Sequence, residues 1–170
     1  MNKISKIFPI DDRILQFIDK LKRSISDEKI PPRIDKAIKM FRREKNLLYI
    51  DKDDNSLKAV IKSQTKPDQL EYAISLRSNG EFFCGTQNLY PCGGLRGKIC
   101  KHIILALIAV IKSEVGTKND MINWVDNTIT HKPKFIKPEA TEIFLKYQYA
   151  LEGKIEWRPV EVLPEDFMAF

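Results

Sequence analysis

Three cysteines and one of the two histidines of this chain fall inside "FFCGTQNLYPCGGLRGKICKHIILALIAV", from Phe82 to Val110. They are Cys84, Cys92, Cys100 and His102. Thiolate sulfur and imidazole nitrogen are the donors that zinc takes in a tetrahedral site, commonly as short ligand pairs on separate elements. Cys100 and His102 make one such pair, placed where a glycine-rich loop enters an apolar helix. The positive end of that helix favours thiolate at Cys100. Lys98 and Lys101 flank the pair, and the glycines let backbone N–H groups approach the sulfurs. Two other readings are compatible with the residue types: small buried hydrophobes, the usual fate of a free cysteine, and reactive thiols. The first suits Cys84, which follows Phe82 and Phe83. It suits Cys92 and Cys100 poorly, since glycine, arginine and lysine surround them. His131, before Lys132 and Pro133, reads as an ordinary surface residue.

The rest of the sequence offers little catalytic chemistry. It has no His-Glu pairing of the zinc-hydrolase kind. No second cysteine follows Pro91–Cys92 at deaminase spacing. "GGLRGK" lacks the phosphate-loop spacing and its Ser/Thr. With two histidines, no Ser-His-Asp order is readable. The expectation is a non-catalytic protein without a small-molecule substrate. An odd number of cysteines does not make a disulfide framework. The N-terminus has no signal-peptide pattern, and the longest apolar run, Ile103 to Ile111, falls short of the ~20 residues of a membrane span. No membrane association and a cytoplasmic location are expected.

The elements that must position the four residues follow from periodicity. Ile14, Phe17, Ile18, Leu21 and Ile25 recur at helical spacing behind Asp11–Asp12. A second helix begins near Pro32 and buries Ile34, Ala37, Ile38 and Phe41. "LLYID" (Leu47–Asp51) and "LKAVIKS" (Leu57–Ser63) read as strands. In "LEYAISL", Leu70, Tyr72, Ile74 and Leu76 alternate strictly, which predicts a strand with one buried face. Ser78-Asn79-Gly80 turns the chain into "EFFC" as a hairpin, delivering Cys84 at a strand end. Residues 85–99 read as loop. From Cys100 to about Val115 the chain is apolar nearly all round, so this helix is central to the core. Helices follow over Asn119–Thr130 and from Pro138 to Leu151, with Gly153 as the cap. The fold class is α+β: N-terminal helices, a small antiparallel sheet, a zinc-organised loop, and a helical C-terminal half with an extended tail. The expected divisions are 1–30 for the N-terminal helix, 31–115 for the zinc-binding domain, 116–153 for helices packed on it and 154–170 for the tail.

The charge is uneven. Residues 1–50 carry 13 Lys and Arg against 7 Asp and Glu, whereas residues 138–170 carry 3 against 7. A basic front suits a polyanion. Lys36, Lys39 and Arg43 on the second helix, with Arg96, Lys98 and Lys101 around the cysteines, are the candidates for touching nucleic-acid phosphates. The plainer account is that they solvate helix surfaces. A protein partner is the competing expectation. The tail alternates Trp157, Val160, Val162, Leu163, Phe167, Met168 and Phe170 with acids and prolines, and would suit docking or cover the protein's own core.

"CKHIILALIAV", preceded by two cysteines on a hairpin and loop, resembles the SWIM zinc finger. That family has the order Cys-x-Cys, a variable loop, then Cys-x-His opening a helix. "IDKAIKMFRREKNLLYIDKDDNSLKAVIKS" and "LEYAISLRSNGEFFC" follow the family's helix-then-strands layout, so the resemblance covers about Arg33 to Lys112. It implies Zn²⁺ on Cys84, Cys92, Cys100 and His102. It also implies partners in nucleic-acid metabolism, DNA included, or in protein assemblies such as those of the ubiquitin pathway. This chain departs from the pattern in two places. Seven residues separate Cys84 from Cys92 where the family has one, and Leu105 stands where alanine is common.

Overall fold

The computed structural model describes residues 12–43 and 45–153. Among these, five helices and four strands follow in the order α1 (Asp12–Ser24), α2 (Ile30–Arg42), β1 (Leu47–Lys52), β2 (Ser56–Lys62), β3 (Glu71–Arg77), β4 (Phe82–Thr86), α3 (Lys101–Lys112), α4 (Lys118–Thr128) and α5 (Lys137–Leu151). The α+β class expected from the sequence is the one observed. The tail and the N-terminal residues before Asp12 lie outside the described residues. No helix among the described residues is long and apolar enough to cross a membrane.

The strands form an antiparallel meander in the order β1-β2-β3-β4. Its register sets Ile50, Ala59, Ile74 and Cys84 in one cross-strand row. Residues opposite one another in antiparallel strands share a face, so Cys84 closes a buried apolar row. On that face lies α3, whose side chains from His102 to Ile111 are all buried. The helix is sandwiched between the sheet and the N-terminal helices, with α2 its most extensive helical neighbour and α1 also in contact. This is why it is apolar all round rather than along one stripe. It ends at Lys112, three residues earlier than its hydrophobicity predicts. Ser113 N–H bonds the Ala109 carbonyl as a cap, and Glu114 then takes a left-handed φ of 63°.

The sheet is covered on its second face as well. The alternation in β3 correctly assigns Tyr72, Ile74 and Leu76 to one side, but Ala73 and Ser75 on the other are also buried. The cover is α5 with the segment leading into it. Ser75 Oγ donates to Glu139 Oε1 at 2.9 Å, and Arg77 pairs with Glu139 Oε2 at 3.1 Å. Phe83 meets Phe135 edge-on at 5.4 Å between centroids, and Tyr49 lies 6.1 Å from Tyr147. Small and polar residues in a strand suggest a solvated face. Here they are small because a helix lies on them.

The β3–β4 hairpin turns at Gly80, whose φ is +97°. A Cβ there would sit 2.1 Å from the Asn127 carbonyl oxygen, since the turn docks on the end of α4 and Asn127 Nδ2 donates to the Ser78 carbonyl at 2.8 Å. Gly80→Ala is therefore expected to destabilise the protein by about 2–4 kcal/mol, read as a shift of the urea midpoint. Gly93→Ala, where a Cβ meets nothing within 4 Å, is expected to stay within about 0.5 kcal/mol of the parent.

Candidate metal centre

The seven-residue gap between Cys84 and Cys92 is a hairpin extension of β4. Cys92 N–H donates to the Cys84 carbonyl at 2.8 Å, Thr86 N–H to Tyr90 at 2.9 Å, and Leu89 N–H closes the turn on Thr86 at 2.9 Å. Gly85 and Pro91 form a bridge between the two arms. Leu89 takes the left-handed conformation, φ 65°, that this turn requires. Cys84 and Cys92 are thus cross-strand neighbours, brought together as closely as a short sequence gap would bring them.

The second gap, Cys92 to Cys100, is a loop pinned by apolar anchors. Leu95 and Ile99 are buried between exposed glycines and Arg96. Lys98 N–H bonds the Leu95 carbonyl at 2.9 Å, and the Ile99 carbonyl accepts from Arg33 Nη1 of α2 at 2.7 Å. Cys100 then occupies the N-cap of α3 in extended geometry, with no capping hydrogen bond from its side chain. That side chain is turned to the other cysteines instead.

The result is a buried cluster of Cys84, Cys92, Cys100 and His102, whose ligand atoms all lie within 4.8 Å of one another. His102 Nδ1 is 3.5 Å from Cys84 Sγ, 3.5 Å from Cys92 Sγ and 3.7 Å from Cys100 Sγ. A tetrahedral ion with metal–sulfur bonds of about 2.3 Å and a metal–nitrogen bond of about 2.0 Å has sulfur–nitrogen edges of about 3.6 Å. The three observed distances match that edge. The sulfur pairs would close by at most about 1 Å to reach their own edge of about 3.8 Å. Gly94 N–H approaches Cys92 Sγ at 3.4 Å, the backbone-to-sulfur contact expected of the glycine-rich loop.

The imidazole carries a second sign of fit. Its Nδ1 faces the sulfurs, leaving Nε2 buried with no hydrogen-bond partner among the described residues. An orphaned buried N–H costs about 1–3 kcal/mol. Facing Nδ1 to three sulfurs is a reasonable return for that cost when an ion joins them. The ring is held flat against Tyr72, 4.1 Å between centroids and inclined by 20°, so β3 fixes its plane.

Electrostatics point the same way. Burial pushes the Cys84 thiol well up, and hydrogen bonds from Cys100 and Cys92 add to the shift. Burial also raises Cys100 to about 12. Cys92 moves down, because hydrogen bonds from Cys100 and then Cys84 stabilise its thiolate. Without a cation the buried sulfurs of the cluster compete for ionisation, with Cys92 favoured and Cys84 and Cys100 disfavoured. A divalent ion would convert it to three thiolates by displacing the remaining protons.

All four predicted ligand residues are therefore brought together. His131 is not among them. Its Nδ1 lies 2.9 Å from the Asn127 carbonyl oxygen, at the end of α4. Of the six predicted phosphate-contacting residues, Lys36, Lys39, Arg43 and Arg96 are exposed, whereas Lys98 and Lys101 are half-buried. Lys101 Nζ lies 2.8 Å from Gln64 Oε1. Lys36, Arg96 and Lys101 line a cavity of about 680 Å³ beside the cluster, together with Lys29 and Arg33, which the sequence reading missed. Their signal was present: Lys29, Arg33, Lys36, Lys39 and Arg43 follow at steps of four and three, one face of a helix.

No family model, no curated protein and no solved structure matches the chain. Fold and geometry define an α+β protein with a buried Cys₃His cluster able to hold a metal ion.

Two outcomes test the cluster. Cys100→Ser is expected to lower stability by more than about 3 kcal/mol and to make the thermal midpoint insensitive to chelator, whereas chelation lowers the parent's midpoint. Metal uptake near pH 7 is expected to release protons from the sulfurs. Protons compete for the sulfurs, so apparent metal affinity falls as pH falls. Calorimetric titration in buffers of different ionisation enthalpy counts the protons.

Proposed function

We propose that this chain is a non-catalytic zinc-binding module of SWIM-like type that binds nucleic acid, alone or as a subunit of a nucleic-acid-processing complex. The observation that carries the reading is the closed Cys₃His donor set with basic side chains on one side of it. Four protein ligands complete a tetrahedron, leaving no position for an activated water or a substrate atom. The ion would therefore supply folding energy and fix β4 and its hairpin to the helix start. Thiolate-rich tetrahedral sites of this kind select zinc over the harder divalent ions. The SWIM-like reading is supported by the order of the ligands, by Cys100-x-His102 opening a helix, and by the hairpin that pairs Cys84 with Cys92.

Nucleic-acid binding is supported by charge. Zinc with three thiolates has a formal charge of −1, and fewer cations than this face presents would neutralise it. Lys36, Lys39 and Arg43 run along α2, and Arg96 stands on the metal loop. Cations arranged in this way would contact phosphates in a sequence-tolerant, salt-sensitive mode. The rival adaptor reading depends on the C-terminal tail, which lies outside the described residues.

Elemental analysis is expected to find one zinc per chain, with all three thiols masked until denaturation. In mobility-shift titrations the protein is expected to retard DNA at low salt, its affinity falling linearly on logarithmic axes as salt rises. Replacing Lys36, Lys39 and Arg43 together with glutamine should flatten that slope by about 2–3 units for duplex DNA. Absence of any shift at low salt, with single- and double-stranded DNA and RNA alike, would reject the nucleic-acid reading.

A further inference from the structure

The cavity beside the metal centre has its own chemistry. It is a half-open depression of about 680 Å³, within the size range of small-molecule sites. Four segments wall it: the start of α2, the β2–β3 connection at residues 63–65, the metal loop and the start of α3. Its charged lining is Lys29, Arg33, Lys36, Arg96 and Lys101 against one acid, Glu28. That surplus exceeds the single formal negative charge of a zinc-loaded Cys₃His set. Among the described residues, the side chains of Lys36 and Arg96 make no ion pair or hydrogen bond. Arg33 is held in place by the Ile99 carbonyl, which fixes its guanidinium on the cavity wall.

We propose that this cavity is a phosphomonoester site, taking the terminal phosphate of a nucleic-acid strand or the phosphate of a free nucleotide. The strand-end form rests on the nucleic-acid reading above; the free-nucleotide form does not. The argument is one of shape and charge. A strand passing along a surface presents singly charged diesters spaced along its length, and suits a stripe such as Lys36, Lys39 and Arg43. A half-open depression on which cations converge from α2, the metal loop and α3 suits a group with concentrated charge. A phosphomonoester is such a group, with about −1.5 to −2 charges at neutral pH and three acceptor oxygens. Arg33 and Arg96 offer the planar donor fork that phosphate oxygens match. Tyr72 and Pro32 supply the apolar wall against which a sugar or base would rest.

The test uses the full, metal-loaded chain and fluorescence anisotropy at fixed salt. The probes are a 12-nucleotide single strand with a 5′-phosphate, the same strand with a 3′-phosphate, and 5′-hydroxyl strands of 12 and 13 nucleotides. The longest matches the phosphorylated strands in number of phosphates, so a difference from it reports the monoester rather than one more phosphate. Adenosine monophosphate and inorganic phosphate serve as competitors, and their direct binding is read by calorimetry. One of the phosphorylated ends is expected to bind at least ~10-fold more tightly than the 13-nucleotide hydroxyl strand. That ratio should collapse toward unity in the Lys36→Gln/Arg96→Gln double variant, whose thermal midpoint should match the parent's. Equal binding of all strands would overturn the phosphomonoester site while leaving the nucleic-acid reading standing. Binding of adenosine monophosphate without any strand would sustain the site, with a free nucleotide as its source, and reject the nucleic-acid reading. Binding of none of the probes would reject both.

Discussion

Three sulfurs and an imidazole nitrogen, all on buried side chains, converge within 4.8 Å of one another. That convergence is the constraint on which the surrounding structure depends. Like charges cannot accumulate in so small a buried volume, so burial pushes the Cys84 and Cys100 thiols up while hydrogen bonds from its neighbours bring Cys92 down. A divalent ion removes the conflict, because it turns three mutually repelling thiolates into ligands of one centre. Each neighbouring feature serves this point. Hairpin 84–92 sets two sulfurs side by side, α3 brings the third sulfur and the ring within its first turn, and Tyr72 fixes the ring plane.

The core explains why those positions can be held. Cys84 ends the row begun by Ile50, Ala59 and Ile74, and α3 lies over that row with every side chain from His102 to Ile111 buried. Sheet and helix can shift against each other only by disturbing many packed contacts at once. The loop between Cys92 and Cys100 has no regular structure. Leu95, Ile99 and the Arg33 bond to the Ile99 carbonyl nonetheless tie it to the core and to α2. Rigidity thus reaches the centre from the strand side and the helix side, and the loop is shaped by its two ends.

Much of this was readable from residue types and spacing. The ligand set stands out because cysteines next to glycine, lysine and arginine make poor core residues. The helices follow from period 3.6, and Ser78-Asn79-Gly80 announces its hairpin. Three features were not readable, each for a physical reason. The Thr86–Tyr90 turn has loop composition, and only its backbone bonds reveal a hairpin. The second buried face of the sheet hides behind Ala73 and Ser75, small residues that a covering helix demands but that solvent also accepts. The Tyr72–His102 stack joins residues 30 apart in sequence, whose pairing depends on how β3 and α3 cross.

The placement of charge closes the argument. A zinc-loaded Cys₃His set would be an anion at the base of a cavity, and lysines and arginines around it would offset that charge whether or not any partner exists. Simple compensation calls for roughly one net cation. The cavity lining holds five basic residues and one acid. Like charges gathered around a concavity repel one another, and folding alone gives no reason to collect so many on one side. They are also attached to the elements that the metal centre joins: Lys29, Arg33 and Lys36 to α2, Arg96 to the loop between two ligands, Lys101 to the residue between Cys100 and His102. Whatever fixes the sulfurs therefore fixes the spacing of these cations. An anion bound there and a metal bound by the sulfurs would be linked equilibria, coupled through the same loop and the same helix start.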